Sequence, residues 1–463
     1  MSRPNRTIIR RSAVRAAGLA VAAAVSLAPV GPASAETLFS AMAQAYRANP
    51  NLNAERAGLR ATDELVPQAL SAWRPQVSAS ASAETSIQNS RPGGTRSLSG
   101  TDVGLTVQQS LFNGFRRVNG TKQAEAQVRA GRASLANSEQ QILLQTVTSY
   151  MDVLQNAAIV RLRQQNIEVL QEQLRAARNR FEVGEVTRTD VAQAEARLRG
   201  AVSELNFAES NLMSARATYR QVVGSDPANL APARPATGVP SSVDAALDRA
   251  YREHPAVVAA VYNEEAAAFA VNLAEGQLLP TVNLQGTVGY STNPSFSVDS
   301  AASASASIQL NVPIYQGGGE YSAVRQAKEQ RNQALLQIEA ARLGVRADIL
   351  SAWGVLEAAT ASIDSARAQV EAASIALTGV REEANVGQRT TLDVLNAEQE
   401  LFDARVSLVV AERDQVVASY ALISAMGRLS AHALQLAVDV YQPEVHYHQV
   451  RDKWIGLRTP SGQ

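Results

Sequence analysis

The sequence predicts a mixed α and β fold, in which long coiled-coil helices carry two pairs of membrane-type β-strands in a barrel shared between chains. Three observations predict it. The same order of elements occurs twice, about 203 to 205 residues apart. Heptads run unbroken through helices far longer than a globular domain uses. Four segments alternate apolar and polar residues in a chain that carries an export signal.

The first 35 residues read as that signal. Arg3, Arg6, Arg10, Arg11 and Arg15 form a basic start, 16–28 form a short apolar run, and Ala33-Ser34-Ala35 fits a cleavage site. The run is shorter than the ~20 residues a membrane helix needs. Its removal leaves 38 basic against 43 acidic groups, a formal charge of about −5. The chain of 463 residues has no cysteine. That excludes disulfides, thiolate metal sites, a cysteine nucleophile and a lipidated N-terminal cysteine.

A first unit is expected over 36–224. It starts with short helices over 37–72, broken at Asn49-Pro50. Strands follow at 74–88 and 101–113, then a long helix over 115–182 and a return helix over 188–223. The proline-rich 225–242, with Pro227, Pro232, Pro235 and Pro240, reads as a linker. The second unit, 243–427, repeats the order at 243–278, 280–292, 301–315, 319–385 and 391–426. A tail, 428–463, closes the chain. Ala45-Tyr46-Arg47 and Pro50 return as Ala250-Tyr251-Arg252 and Pro255; Leu111-Phe112-Asn113-Gly114 returns as Ile314-Tyr315-Gln316-Gly317. A period this long is a duplicated domain-sized unit, since solenoid repeats run about 20–50 residues.

Val153, Val160, Ile167, Leu174 and Phe181 stand seven apart, as do Ile349, Leu356, Ile363, Val370 and Leu377 at the matching positions. Val191, Leu198, Leu205, Leu212 and Tyr219 continue the pattern in one return helix, and Val394, Leu401 and Leu408 in the other. A helix of about 68 residues is roughly 100 Å long. It spans a distance rather than filling a core.

In the strand segments, Val77, Ala79, Ala81 and Ala83 alternate with Ser78, Ser80 and Ser82, while Ile308, Leu310 and Val312 alternate with Gln309 and Asn311. One apolar face over about ten residues suits a strand in lipid. Four strands cannot close a barrel, and open edges are not tolerated in a bilayer. The strands therefore require a homo-oligomer. The loops 88–100 and 292–300 are expected at the far end.

Val183-Gly184 and Val386-Gly387, each followed by Thr-x-x-Asp-Val, together with the Leu-Phe-Asn-Gly and Ile-Tyr-Gln-Gly strand ends and the duplicated order, resemble the TolC family of outer-membrane efflux and secretion channels. The resemblance covers 36–442. The tail from Tyr441 to Trp454 is similar to the type I secretion branch. The resemblance implies a homotrimer whose 12-stranded outer-membrane β-barrel, four strands per chain, continues into an α-helical barrel in the periplasm. It also implies a passive conduit, opened at its periplasmic end by an inner-membrane transporter (ABC or RND type) and a periplasmic adaptor.

The helix-reversal turns at Gly184 and Gly387 are where that end should lie. Thr187-x-x-Asp190 and Thr390-x-x-Asp393 each fit a capping box. The resemblance implies further that Asp393 and Asn396 occupy two ring positions acidic in the family. It sets Arg389 against Thr189, with Asp190 nearby. Ala384 stands where the family has a tyrosine, and Arg188 is an added basic group. No cofactor, metal or nucleic-acid partner is expected. Two rival readings fit the sequence less well. An enzyme lacks support, because none of His254, His432, His446 and His448 sits in a metal-binding helix motif and no nucleophile elbow or phosphate loop is present; His446-x-His448 reads as an exposed polar tail. A periplasmic coiled-coil adaptor or structural protein would share the helices and export, but leaves the paired strands unexplained.

Overall fold

A computed structural model of the protein describes residues 35–460. The expected signal segment lies outside them except for Ala35. The described residues open with α1 (Leu38–Ala48), α2 (Pro50–Asp63) and α3 (Leu65–Ser71). Asn49 ends one helix through its backbone N–H, bonded to Ala45, and its side chain starts the next: its oxygen accepts from the backbone of Asn51 at 2.9 Å and Leu52 at 3.2 Å, with Pro50 in the first turn. Strands β1 (Gln76–Ser90) and β2 (Gly94–Asn113) lead into α4 (Arg116–Glu182) and α5 (Arg188–Val223). After 225–242 the order repeats as α6 (Val243–Glu253), α7 (Pro255–Glu275), β3 (Thr281–Ser295), β4 (Val298–Asn311), α8 (Gly319–Asn385) and α9 (Thr391–Ala425). A last helix, α10 (Pro443–Val450), lies in the tail.

The strands form one antiparallel sheet in the order β1-β2-β3-β4. Its register aligns the apolar faces. Ala79 pairs with Leu105, Leu105 with Val288, and Val288 with Ala304; Leu284 pairs with Ile308. Because side chains alternate along a strand, one face of all four is apolar and the other carries Ser, Thr, Gln and Asn. Nothing within the described residues covers the apolar face: Val77, Val103, Val288, Ile308 and Leu310 are all well exposed. The expected loops are corrected. Most of 88–100 and 292–300 is strand, leaving tight turns after Ser90 and Ser295. These extensions carry Arg, Ser, Gly and Thr, so the apolar alternation ends before the strand does.

In the helical part α5 packs on α4, α9 packs on α8 and also on α4, and α7 lies between α4 and α8. The heptad seam is buried at Val153, Val160, Leu174, Ile349, Ile363 and Leu377. Phe181 departs from the seam and is exposed one residue before the helix ends; its counterpart Ala384 is buried. The largest core joins α1, α4, α5 and α9 around Leu143, Tyr150, Tyr219 and Tyr420. There the Tyr150 hydroxyl donates to the Glu36 and Ala231 carbonyls at 2.8 and 2.6 Å, and Tyr219 donates to the Glu36 carboxylate at 2.6 Å. Burial pushes the Tyr150 phenol up to about 12. These bonds fix the segment at Glu36 and the linker against the long helices.

The tail is a second correction. His446 is buried, with its Nδ1 2.9 Å from the carboxylate of fully buried Asp63, and Arg132 reaches Glu444 at 3.2 Å. Desolvation raises the Asp63 carboxyl above its usual range. A polar tail could bury its histidine because α2 supplies the acid 383 residues away.

The two units differ in what they leave open. Ala133, Gln140 and Val147 on α4 are buried, whereas Leu336, Leu343 and Leu350, 203 residues on, are exposed on α8. Val416 is buried on α9 and its counterpart Met213 is exposed on α5. The outer edges of β1 and β4 are likewise unpaired within the sheet.

Candidate functional site at the helix-reversal turns

Both reversals are built alike. Gly184 and Gly387 have φ of 80° and 79°, a region that residues with a Cβ rarely adopt. The amide after each glycine bonds back to a helix carbonyl, Glu185 to Arg180 at 2.8 Å and Gln388 to Glu383 at 2.9 Å. That is the Schellman arrangement of a helix end. The return helices then start with reciprocal caps. The Thr187 hydroxyl accepts from the Asp190 amide at 3.3 Å, and the Asp190 carboxylate accepts from the Thr187 amide at 2.8 Å. Thr390 and Asp393 do the same at 3.2 and 2.9 Å.

Capping also sets the charge. Hydrogen bonds from Thr187 hold Asp190 below the usual carboxylate range, and those from Thr390 do so for Asp393, helped by Arg389. The sign follows: each carboxylate stays ionised from neutral into mildly acidic solution, and the cap is lost only as the pH falls through the depressed folded value. Both turns therefore present fixed negative charge at working pH.

An ion pair straddles each turn, with opposite polarity. In the first, Arg180 on the outgoing helix holds Glu185 on the turn at 3.1 Å; in the second, Glu383 holds Arg389 at 2.8 Å. Arg389 thus has its partner within its own turn. Arg188 and Thr189 are exposed in the first turn of α5, with no side-chain partner among the described residues. The Ala384 methyl is buried and offers no polar group to the turn.

The two hairpins are joined by contacts that reading the sequence missed. The Arg197 guanidinium on α5 donates to the Asn396 side chain on α9 at 3.0 Å. One residue before Asn396, buried Leu395 enters the first hairpin's cluster of Leu170, Leu174, Ala177, Ala194 and Ala201. The position 203 residues earlier is Ala192, too short to make that contact. Comparing the copies at this position would have flagged it.

A duplicated ion pair braces each hairpin seventeen residues apart, Arg178–Glu195 and Arg381–Glu398. Glu195 retains 44% side-chain exposure and Glu398 only 8%. Arg381→Ala would strand a buried carboxylate, at about 2 kcal/mol given that the guanidinium is itself half exposed. Arg178→Ala should cost no more than about 1 kcal/mol. Amide hydrogen exchange should rise several-fold at the tip of α8–α9 in the first variant and change little at α4–α5 in the second.

Three comparisons set this architecture among known proteins. The profile of the outer membrane efflux protein family matches 41–225 and 246–428. The chain is 46% identical to the outer membrane efflux protein BepC of Brucella suis biovar 1 (strain 1330) over 435 residues, covering 93% of this chain and 94% of that protein. It is 28% identical to the outer membrane protein TolC of Escherichia coli (strain K12), covering 86% of this chain and 84% of that one. The fold is similar to the crystal structure of the Campylobacter jejuni CmeC outer membrane channel, with a TM-score of 0.76 over 90% of this chain and 89% of that chain at 16% identity.

Proposed function

The chain belongs to the outer membrane efflux protein family, and from that premise we propose that three copies assemble into one tunnel whose periplasmic mouth is closed by the paired helix-reversal turns. Efflux through an outer-membrane channel with a helical periplasmic extension is the family's work. The open flanks support assembly. Surfaces buried on α4 and α9 have exposed counterparts on α8 and α5, so the flank of one copy fits the opposite flank of the next. Such a head-to-tail contact closes into a ring where its rotation is about 120° between neighbouring copies, as the proposal requires. Three sheets joined edge to edge would give a barrel without open edges. Each chain contributes two structural units, 36–224 and 243–427, joined by the linker.

At the mouth, three Asp393 carboxylates form the ring, with Asn396 contributing an amide. Arg389 is the group that transfers. It leaves Glu383 for Thr189 and Asp190 of an adjacent turn when the mouth is shut, and Arg188 adds positive charge beside them. An inner-membrane transporter and a periplasmic adaptor would open the mouth by separating the hairpins. The tunnel performs no chemical step. Efflux of small molecules is the first assignment; the tail's resemblance to the secretion branch makes protein export the second.

The observation that carries this reading is the cross-hairpin tie of Leu395 and Arg197–Asn396 beside the two turns. Conductance in planar bilayers tests it. Arg389→Ala should raise single-channel conductance and sensitise cells to bulky antibiotics, and unchanged current would remove Arg389 from the gate. Asp393→Ala should weaken block by multivalent cations; equal block before and after would dissolve the ring.

A further inference from the structure

The tail beyond α10 ends in a loop whose apolar residues are left largely exposed by the described residues. Trp454, Ile455 and Leu457 are 67%, 88% and 102% exposed. The loop is held in shape nonetheless. The Lys453 amide bonds to Val450 at 3.0 Å, the Lys453 ammonium bonds across the loop to the Arg458 carbonyl, and Gly456 takes a φ of 112°. A fixed loop that directs three large apolar side chains outward is costly in water.

Its position identifies what covers it. Arg74, two residues before β1, donates to the Lys453 carbonyl at 2.8 Å and stacks over the Trp454 ring at 4.6 Å. Neighbouring Trp73 accepts through its carbonyl from Gln109 at 3.1 Å. Gln109 lies on β2 in step with Val103, Leu105 and Val107, on the sheet's apolar face. Arg117 stacks over Trp73 at 4.5 Å and donates to the carbonyls of Ser110 and Leu111, where β2 is bulged. The loop is therefore tied to the helix end of the strands, on the side of their lipid-facing surface. Tryptophan with flanking Lys and Arg is what the boundary between hydrocarbon and headgroups favours.

We propose that Trp454, Ile455 and Leu457 form an interfacial anchor that enters the periplasmic leaflet of the outer membrane, with Lys453 and Arg458 at the level of its phospholipid headgroups. The proposal rests on the outer-membrane placement of the sheet. It gives the tail a role independent of cargo: it sets the height of the helical barrel relative to the bilayer and prevents tilt.

The absence of cysteine makes the test direct. The full chain carrying Ile455→Cys, labelled with a nitroxide, is reconstituted in phosphatidylethanolamine–phosphatidylglycerol nanodiscs. Collision with dissolved oxygen is compared with collision with a water-soluble nickel chelate. Val288→Cys on the apolar face of β3 reports the membrane, and Glu204→Cys on α5 reports water. The anchor predicts a several-fold excess of oxygen over nickel collisions at 455, between the values at 288 and 204. A nickel-rich signal at 455 with an oxygen-rich signal at 288 overturns the anchor and leaves the barrel standing. Low collision with both reagents at 455 also overturns it, since a second copy of the chain would then cover the loop. A nickel-rich signal at 288 overturns the membrane placement itself, and the anchor with it. Leu457→Cys repeats the measurement, so that misfolding of one variant does not decide the matter.

Discussion

Leu395→Ala is expected to yield a channel that folds, assembles and leaks. The side chain is almost fully buried and belongs to α9, yet it packs among residues of α4 and α5. Removing it costs about 2–5 kcal/mol, and the loss falls on the contact between hairpins rather than within either one. A closed state that depends on this contact would lose a large share of its population advantage, since about 1.4 kcal/mol is a factor of ten. Mean conductance should rise and vancomycin-type antibiotics should enter intact cells more readily. Arg197→Ala, which leaves Asn396 without its partner, should act in the same direction with a smaller effect of about 1 kcal/mol. If Leu395→Ala melts α9 without raising conductance, the residue is ordinary core.

Gly114→Ala should have the largest structural effect. Gly114 has φ of 66°, and a Cβ there would lie 2.2 Å from the Gly276 carbonyl oxygen and 2.9 Å from the Leu279 Cβ. A Cβ on Gly276 would meet the Gly114 carbonyl at 2.4 Å. The end of β2 and the end of α7 therefore approach backbone to backbone. Left-handed strain of about 1–2 kcal/mol adds to about 1–3 kcal/mol of overpacking, and the strand–helix joint should fail to form. Expression in the outer membrane, read by heat-modifiable migration, measures it. The counterpart Gly317 has φ of 74° and nothing within 4 Å. In an isolated chain Gly317→Ala should bear only the backbone strain. If the next copy brings its α3 end against this glycine, as α7 meets Gly114, the same change should block trimer assembly while leaving the monomer folded. Crosslinking of the detergent-extracted protein separates these results.

Much of the fold was legible because its determinants are local. The long helices, expected over 115–182 and 319–385, run over Arg116–Glu182 and Gly319–Asn385, since left-handed glycines flank both ends of each and a capping threonine starts each return helix. The strand bounds were less legible. Apolar alternation marks only the part of a strand that faces lipid, and β1 and β2 run past it. The contacts of the tail could not be read. His446 meets Asp63, and Trp454 meets Arg74, across more than 370 residues. At the turns the capping boxes were visible in four residues each. The ion pair of Arg389 with Glu383 spans six residues around a left-handed glycine, a spacing that no helical rule flags. The contacts between hairpins lay hidden for a different reason: Leu395 looks like any heptad neighbour until it is set beside Ala192.

That pair of positions has a consequence for how such a channel can change over generations. In a ring made from six copies of one short gene, every mutation is inherited six times, and all hairpins loosen or tighten together. Fusion of two copies into one reading frame ends that. Selection can enlarge residue 395 while residue 192 stays small, and in the proposed trimer that would give three hairpins the character of a fixed frame and three that of a movable latch. The polarity reversal between Arg180–Glu185 and Glu383–Arg389 is the same freedom expressed in charge.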